Sequence, residues 1–147
     1  MNKNKNIVCI YKTSKTNFKR DIKNNIYFIK IEKEVLTQEE LEEFNKELLK
    51  IYEYQEKKKK KCSFIYDWTD AGMGYLKFMH IEAKFYKSLE DRTKEIVNSV
   101  CLISSSSFFK KMVNFCLSMY GSVIPTIIVL SMDEALEKIN EFKQMNF

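Results

Sequence analysis

Two places in this chain gather side chains that could do chemistry. The first is VCLISSSSFFKK, residues 100–111. An apolar run stops at Ser104, Ser105, Ser106 and Ser107, and Lys110 and Lys111 follow at once. Such a cluster can be a nucleophile, an anion cradle, or the cap of a helix. A nucleophilic serine needs a base and a strained elbow such as G-x-S-x-G. His80 is the only histidine, it falls inside a helical pattern, and no elbow motif is present. A serine hydrolase is therefore set aside. A phosphate, sulfate or acidic group could dock on the exposed N–H groups of a helix start, with Ser105 or Ser106 as cap and Lys110 beside it. The plainer account is a polar cap and a solvated loop.

The second place is IYDWTD, residues 65–70. Asp67 and Asp70 could hold Mg²⁺ against a phosphorylated substrate, as in receiver or phosphatase-like domains. A receiver would also need an acidic pair after its first strand and a lysine after its last, and IYK and VLSM supply neither. Asp67, Thr69 and Asp70 otherwise shape a loop and cap the coming helix. Trp68, half exposed at this strand end, would serve as an apolar anchor for a partner. The four cysteines, Cys9, Cys62, Cys101 and Cys116, form no C-x-x-C pair and sit among aliphatic and aromatic neighbours. They read as reduced core residues of a cytoplasmic protein, not as zinc ligands.

The elements that must position these residues follow from pattern. IVCIY (7–11) and IYFIKIE (26–32) are rich in β-branched and aromatic residues and read as strands. NFKRD supplies a further strand closed by an Asn24-Asn25 turn. Thr37 with Glu40 forms a capping box, after which Leu41, Phe44, Leu48, Ile51 and Tyr52 share one helix face. CSFIYDW (62–68) reads as a strand buried on both faces. A long helix runs from about Tyr75 into the 90s, broken near EDRT (90–93). SVCLIS (99–104) is a strand, a helix is expected over 106–120, and TIIVLS (126–131) is the last strand. Ser131 with Glu134 opens a final helix that turns Ala135, Leu136, Ile139 and Phe142 inward. Strands alternating with helices demand crossovers. The expected fold is therefore α/β: a mixed sheet with an N-terminal antiparallel hairpin, parallel core strands, and helices packed on it.

Charge and composition bound the function. The net charge is +5, but residues 1–24 carry seven cations against Asp21 alone. The basic excess is an N-terminal feature, with residues 1–6 read as a flexible basic tail of a single domain spanning 1–147. Only Arg20 and Arg92 are arginines among 25 basic residues. That balance weighs against nucleic acid, whose binders spread Arg and Lys over a face. The N-terminus lacks a signal-peptide core, and Gly121 and Pro125 break the longest apolar stretch.

From residue 26 to 143 the layout resembles STAS-type domains, the fold of bacterial anti-sigma-factor antagonists, and small STAS-like proteins grouped with CRAL-TRIO lipid-transfer domains. The segments that carry it are IYDWTDAGMGYLKF, SVCLISSSSFFKKMVNFCLSMYG and TIIVLSMDEALEKI. Antagonist STAS domains present a phosphorylated serine after the buried strand. Here TDAGMG is shorter and offers only Thr69. The resemblance implies a non-enzymatic binding or regulatory domain, with no catalytic residue, no metal and no cofactor. Trp68, Thr69, Asp70, Ser105, Ser106 and Lys110 are the expected contacts to a protein partner or a small anionic ligand. They stand at the carboxyl ends of the parallel strands, where ligands of such sheets bind. The alternative is a lipid or anionic membrane surface, met by the apolar helix 106–120 and the basic N-terminal arm.

Overall fold

The computed structural model describes residues 6–32, 36–70, 76–104 and 124–145. Six strands form one sheet in sequence order: β1 Ile7–Lys12, β2 Thr16–Asp21, β3 Ile26–Ile31, β4 Cys62–Asp67, β5 Val97–Ile103 and β6 Thr126–Val129. The first two pairings are antiparallel and the last three are parallel. Four helices are described: α1 Gln38–Lys58, α2 Leu76–Ser88, α3 Glu90–Ile96 and α4 Met132–Met145. The expected α/β architecture, with an antiparallel hairpin feeding a parallel core, is the one observed. The helix expected over 106–120 lies outside the described residues.

Local signals account for most boundaries. The Thr37 hydroxyl accepts from the Glu40 N–H at 3.1 Å, and the Glu40 carboxylate accepts from the Thr37 N–H at 2.9 Å. Together they close the predicted capping box. Lys59 ends α1 in the left-handed conformation, φ 53°. Asn25 takes the same conformation in the β2–β3 turn, as its short polar side chain permits. The Ser131 hydroxyl accepts from the Glu134 N–H at 3.2 Å at the start of α4. The long helix breaks at Leu89, whose N–H donates to the Tyr86 carbonyl. β5 then begins at Val97, two residues earlier than the pattern suggested.

Alternation along each strand divides the core in two. Tyr27, Ile29, Phe64, Tyr66, Val100 and Leu102 face α1, α2 and α3, where Phe44, Leu48, Tyr52 and Tyr86 complete the larger cluster. Phe64 stacks between Tyr27 and Tyr66, at ring-centroid distances of 5.4 and 5.8 Å. Full burial of such a side chain contributes roughly 1.5–3 kcal/mol. The opposite face presents Ile26, Ile65, Cys101 and Ile103 to Ala135 and Ile139 of α4. The far end of α4 is tied down by Lys143, whose Nζ donates to the Asn24 carbonyl at 2.6 Å.

Buried polar groups are paired in ways that fix which element meets which. The Tyr27 hydroxyl donates to Gln55 Oε1 at 2.9 Å, and the Gln55 amide donates to the Lys60 carbonyl. Tyr52 meets Thr93 at 2.8 Å, joining α1 to α3, and Ser63 meets Ser99 at 2.9 Å across β4 and β5. Asn45 Nδ2 donates to Glu82 Oε1 at 2.9 Å, joining α1 to α2. Glu82 is only 3% exposed. Burial pushes its carboxyl up to about 7, although the Asn45 hydrogen bond opposes the shift.

Asn45 Oδ1 is buried without a hydrogen-bond partner. A protonated Glu82 still accepts from the Asn45 amide and carries no buried charge. The folded state thus holds a proton that the unfolded state releases above its ordinary carboxyl range. The stabilisation is full below about pH 4.5 and is lost as pH rises through 7. Denaturant unfolding at pH 5 and pH 8 should show the wild-type chain losing on the order of 2–3 kcal/mol relative to Glu82→Gln. The glutamine is neutral at every pH and keeps the acceptor for the Asn45 amide, so equal pH profiles for the two proteins would refute a buried neutral carboxyl.

Candidate functional site

The carboxyl ends of the parallel strands gather Lys30, Asp67, Thr69 and Asp70. Lys30 and Asp67 are register partners across β3 and β4, so their side chains leave the sheet on the same face, that of α4. Lys30 Nζ lies 3.8 Å from Asp67 Oδ2 and 3.1 Å from Asp70 Oδ2. Burial alone would lower the Lys30 ammonium. The hydrogen bond to Asp70 and the charges of Asp67 and Asp70 outweigh it and raise its pKa. Asp67 Oδ1 accepts from the Thr69 N–H at 3.1 Å and from the Thr69 hydroxyl at 2.6 Å. One carboxylate thereby turns the chain out of β4.

Beside this cluster a pocket of about 480 Å³ opens in the step between α4 and the first three strands. α4 lies mainly over β5, with lesser contact to β4 and β6, so the pocket forms where its cover ends. Phe28, Ile7 and Cys9 line it from the sheet, and Met132 and Leu136 line it from the first turns of α4. Asn17, Lys19, Lys30 and Asp67 supply its polar margin. The arrangement pairs an apolar surface with two ammonium groups. It has the general composition of a ligand site, largely apolar with a few placed polar groups.

The six expected contacts divide. Thr69 and Asp70 are exposed at the strand end, and Asp70 is engaged by Lys30. Trp68 is corrected: it is 7% exposed and belongs to the larger core cluster. Its N–H donates to the Ile103 carbonyl at 2.9 Å, which carries the β4–β5 ladder one residue further. The two-residue period of Phe64 and Tyr66 then sends the indole under the helices. Ser105, Ser106 and Lys110 lie outside the described residues. Ser104 is buried, and its N–H donates to the Val129 carbonyl at 3.0 Å.

The cysteine reading is also corrected in part. Cys62 and Cys101 are buried, and burial pushes the Cys62 thiol up to about 12. Cys9 is exposed, because β1 lies at the sheet edge beyond the reach of α4. Cys116 lies outside the described residues. His80 sits exposed on α2. Among the described residues no group of three His, Cys, Asp or Glu side chains could hold a metal ion, and no helix is long and apolar enough to cross a membrane.

Lys19, Asn17 and Phe28 were not singled out in the sequence. The signal available was alternation: in IYFIKI, Phe28 and Lys30 share the face opposite Tyr27 and Ile29. Which part of that face a helix leaves open is not written in any local pattern. The chain matches no protein-family model, no curated protein and no solved structure.

The two aspartates should behave differently on replacement. Asp67→Ala removes the acceptor of two hydrogen bonds and should cost about 1 kcal/mol or more in urea unfolding. Asp70→Ala removes one partly exposed ion pair and should stay within about 0.5 kcal/mol of the wild type. Equal costs would contradict the turn-forming role of Asp67.

Proposed function

We propose that the chain is a non-catalytic, STAS-like binding domain that takes a small ligand with an apolar body and an anionic head. The observation that carries this reading is the pocket of about 480 Å³ at the strand carboxyl ends, walled by Phe28 from the sheet and by Met132 and Leu136 from α4, with Lys19 and Lys30 at its margin. The apolar body is desolvated against Phe28 and Leu136, a gain of about 25 cal/mol per Å² removed from water. The head is drawn to Lys19, for which no ion pair occurs among the described residues. Lys30, already neutralised by Asp67 and Asp70, orients the head more than it attracts it. The strand-end segments that resemble STAS domains support a regulatory use, in which occupancy of the pocket is the signal. Nucleophilic or general acid–base chemistry has no support at this site: no imidazole reaches it, and its carboxylates are occupied by Lys30 and Thr69.

Anilinonaphthalene sulfonate, an aromatic anion, is a suitable probe. Fluorescence titration of the folded chain should show saturable binding at a single site. Lys19→Glu should weaken it about tenfold at low salt, with a smaller effect as salt screens the charge. Leu136→Gln should weaken it at every salt concentration. Binding that ignores both substitutions, or that fails to saturate, would reject the pocket.

A further inference from the structure

β1 is the outer strand of the sheet and pairs only with β2 among the described residues. Its backbone orientation follows from the ladder. Ile22 N–H donates to the Asn6 carbonyl at 2.9 Å, and Ile7 and Val8 stand opposite Asp21 and Arg20. Facing pairs alternate in an antiparallel ladder, so Asn6 and Val8 turn their backbone groups toward β2. Ile7 and Cys9 turn theirs away, toward the open edge. A register shift between Cys9 and Tyr11 leaves Ile10 as a bulge, which limits the regular edge to a short stretch.

The side chains of this stretch are apolar on both faces. Val8 and Ile10 are 42% and 44% exposed. They form one wall of a second pocket, about 440 Å³, that runs between the β1–β2 hairpin and the flank of α1. Tyr27, Ile51 and Tyr54 form its floor and far wall, and Arg20 stands in it beside Lys50 and Glu47, which pair with each other at 2.9 Å and leave Arg20 as the net charge there. Arg20 is held there by Asn25 Oδ1 at 2.8 Å and lies over the Tyr54 ring at 5.0 Å. Natural edges of this kind are usually blunted by inward charges, proline or cover. Here the bulge shortens the edge, but the apolar side chains and the trough remain.

Charge selects the occupant. Residues 6–25 carry Lys12, Lys15, Lys19, Arg20 and Lys23 against Asp21 alone, and among the described residues only Lys15 is taken up by a distant acid, Glu40 at 2.7 Å. A second copy would set two such basic hairpins side by side, which repel. We propose that β1 is a docking edge for an acidic, extended segment of a partner protein. The segment adds a strand alongside Ile7–Cys9 and places alternate apolar side chains in the trough beside Val8 and Ile10. The backbone bonds supply affinity and the trough supplies selection, as in other strand-addition complexes. The trough lies on the opposite face of the sheet from the α4-side pocket, while Ile7 and Cys9 of the same strand line that pocket, so Ile10→Glu and not Cys9→Pro separates the two readings.

The test uses the full chain and a fluorescein-labelled peptide, Asp-Glu-Val-Thr-Val-Thr-Val-Glu-Asp. Two controls accompany it: one with proline for both threonines, and one with lysine for every acid. Anisotropy should show saturable binding of the acidic peptide, at least about tenfold tighter than either control, weakening with salt. Cys9→Pro removes an outward N–H while sparing the bonds of Val8 to β2, and should abolish binding. Ile10→Glu keeps every backbone group and should weaken binding about tenfold while leaving anilinonaphthalene sulfonate binding unchanged. It decides the matter if Cys9→Pro fails to fold. The proposal is overturned if the acidic peptide binds no better than the controls, or if Ile10→Glu leaves it untouched. It is equally overturned if sedimentation shows the chain dimerising through an edge that Ile10→Glu disrupts.

Discussion

The structure depends on one constraint of chain geometry. Neighbouring parallel strands must be joined by a crossover, and crossovers in twisted sheets are right-handed. From β3 the sheet grows one strand at a time in a single direction. The right-handed steps from β3 to β4 and from β4 to β5 set their helices on the same side. α1, α2 and α3 therefore share one face, where the aromatic side chains of β3 and β4 form the larger core. α4, which follows the last strand, is released from that constraint and covers the other face. Both pockets arise where this two-sided cover runs out over the N-terminal hairpin.

The division has energetic consequences. A face roofed by several helices can bury large aromatic rings, and Tyr27, Tyr52, Phe64, Tyr66 and Tyr86 are buried there. The tyrosine hydroxyls and the neighbouring amides then need partners, since an unpaired buried polar group costs about 1–3 kcal/mol. The pairs Tyr27–Gln55, Tyr52–Thr93 and Asn45–Glu82 answer that need. Each also joins elements distant in sequence, so the polar contacts select one packing among the many that hydrophobicity alone would allow. Glu82 carries this furthest: its burial ties the α1–α2 contact to a proton.

The other face, which among the described helices α4 alone covers, has the opposite character. Its core is small and aliphatic, with Ile65, Cys101, Ala135 and Ile139 at its centre. Toward β1 it grades into half-buried and exposed residues, among them Phe28, Ile7 and Cys9. Charged side chains appear at the margins: Lys19 on β2, and Lys30 with Asp67 where the parallel strands end. A strand-end site was expected from the fold class; Thr69 and Asp70 stand at that strand end, and the pocket beside them is lined by Lys30 and Asp67. The pocket also includes a stretch of open sheet, because α4 lies mainly over β5, too far across to cover it.

Strands, helices, caps and the alternation of the core were legible in the sequence because each rests on contacts within a few residues. The capping box at Thr37 and Glu40, the turn at Asn25 and the inward face of α1 are of this kind, and so is the parallel order inferred from alternating elements. Trp68 was legible too, had the period of Phe64 and Tyr66 been extended by one step; its burial follows from that period and not from its place at a strand end. Exposure of Cys9, the pairing of Asn45 with Glu82, and the meeting of Lys30 with Asp70 were not. They depend on where a helix ends its cover, or on which residues of separate elements come within hydrogen-bond reach. The one-dimensional pattern determined what each segment wants to bury. Only the assembled sheet decided how much cover was available, and so which apolar and charged side chains remained at its open edge.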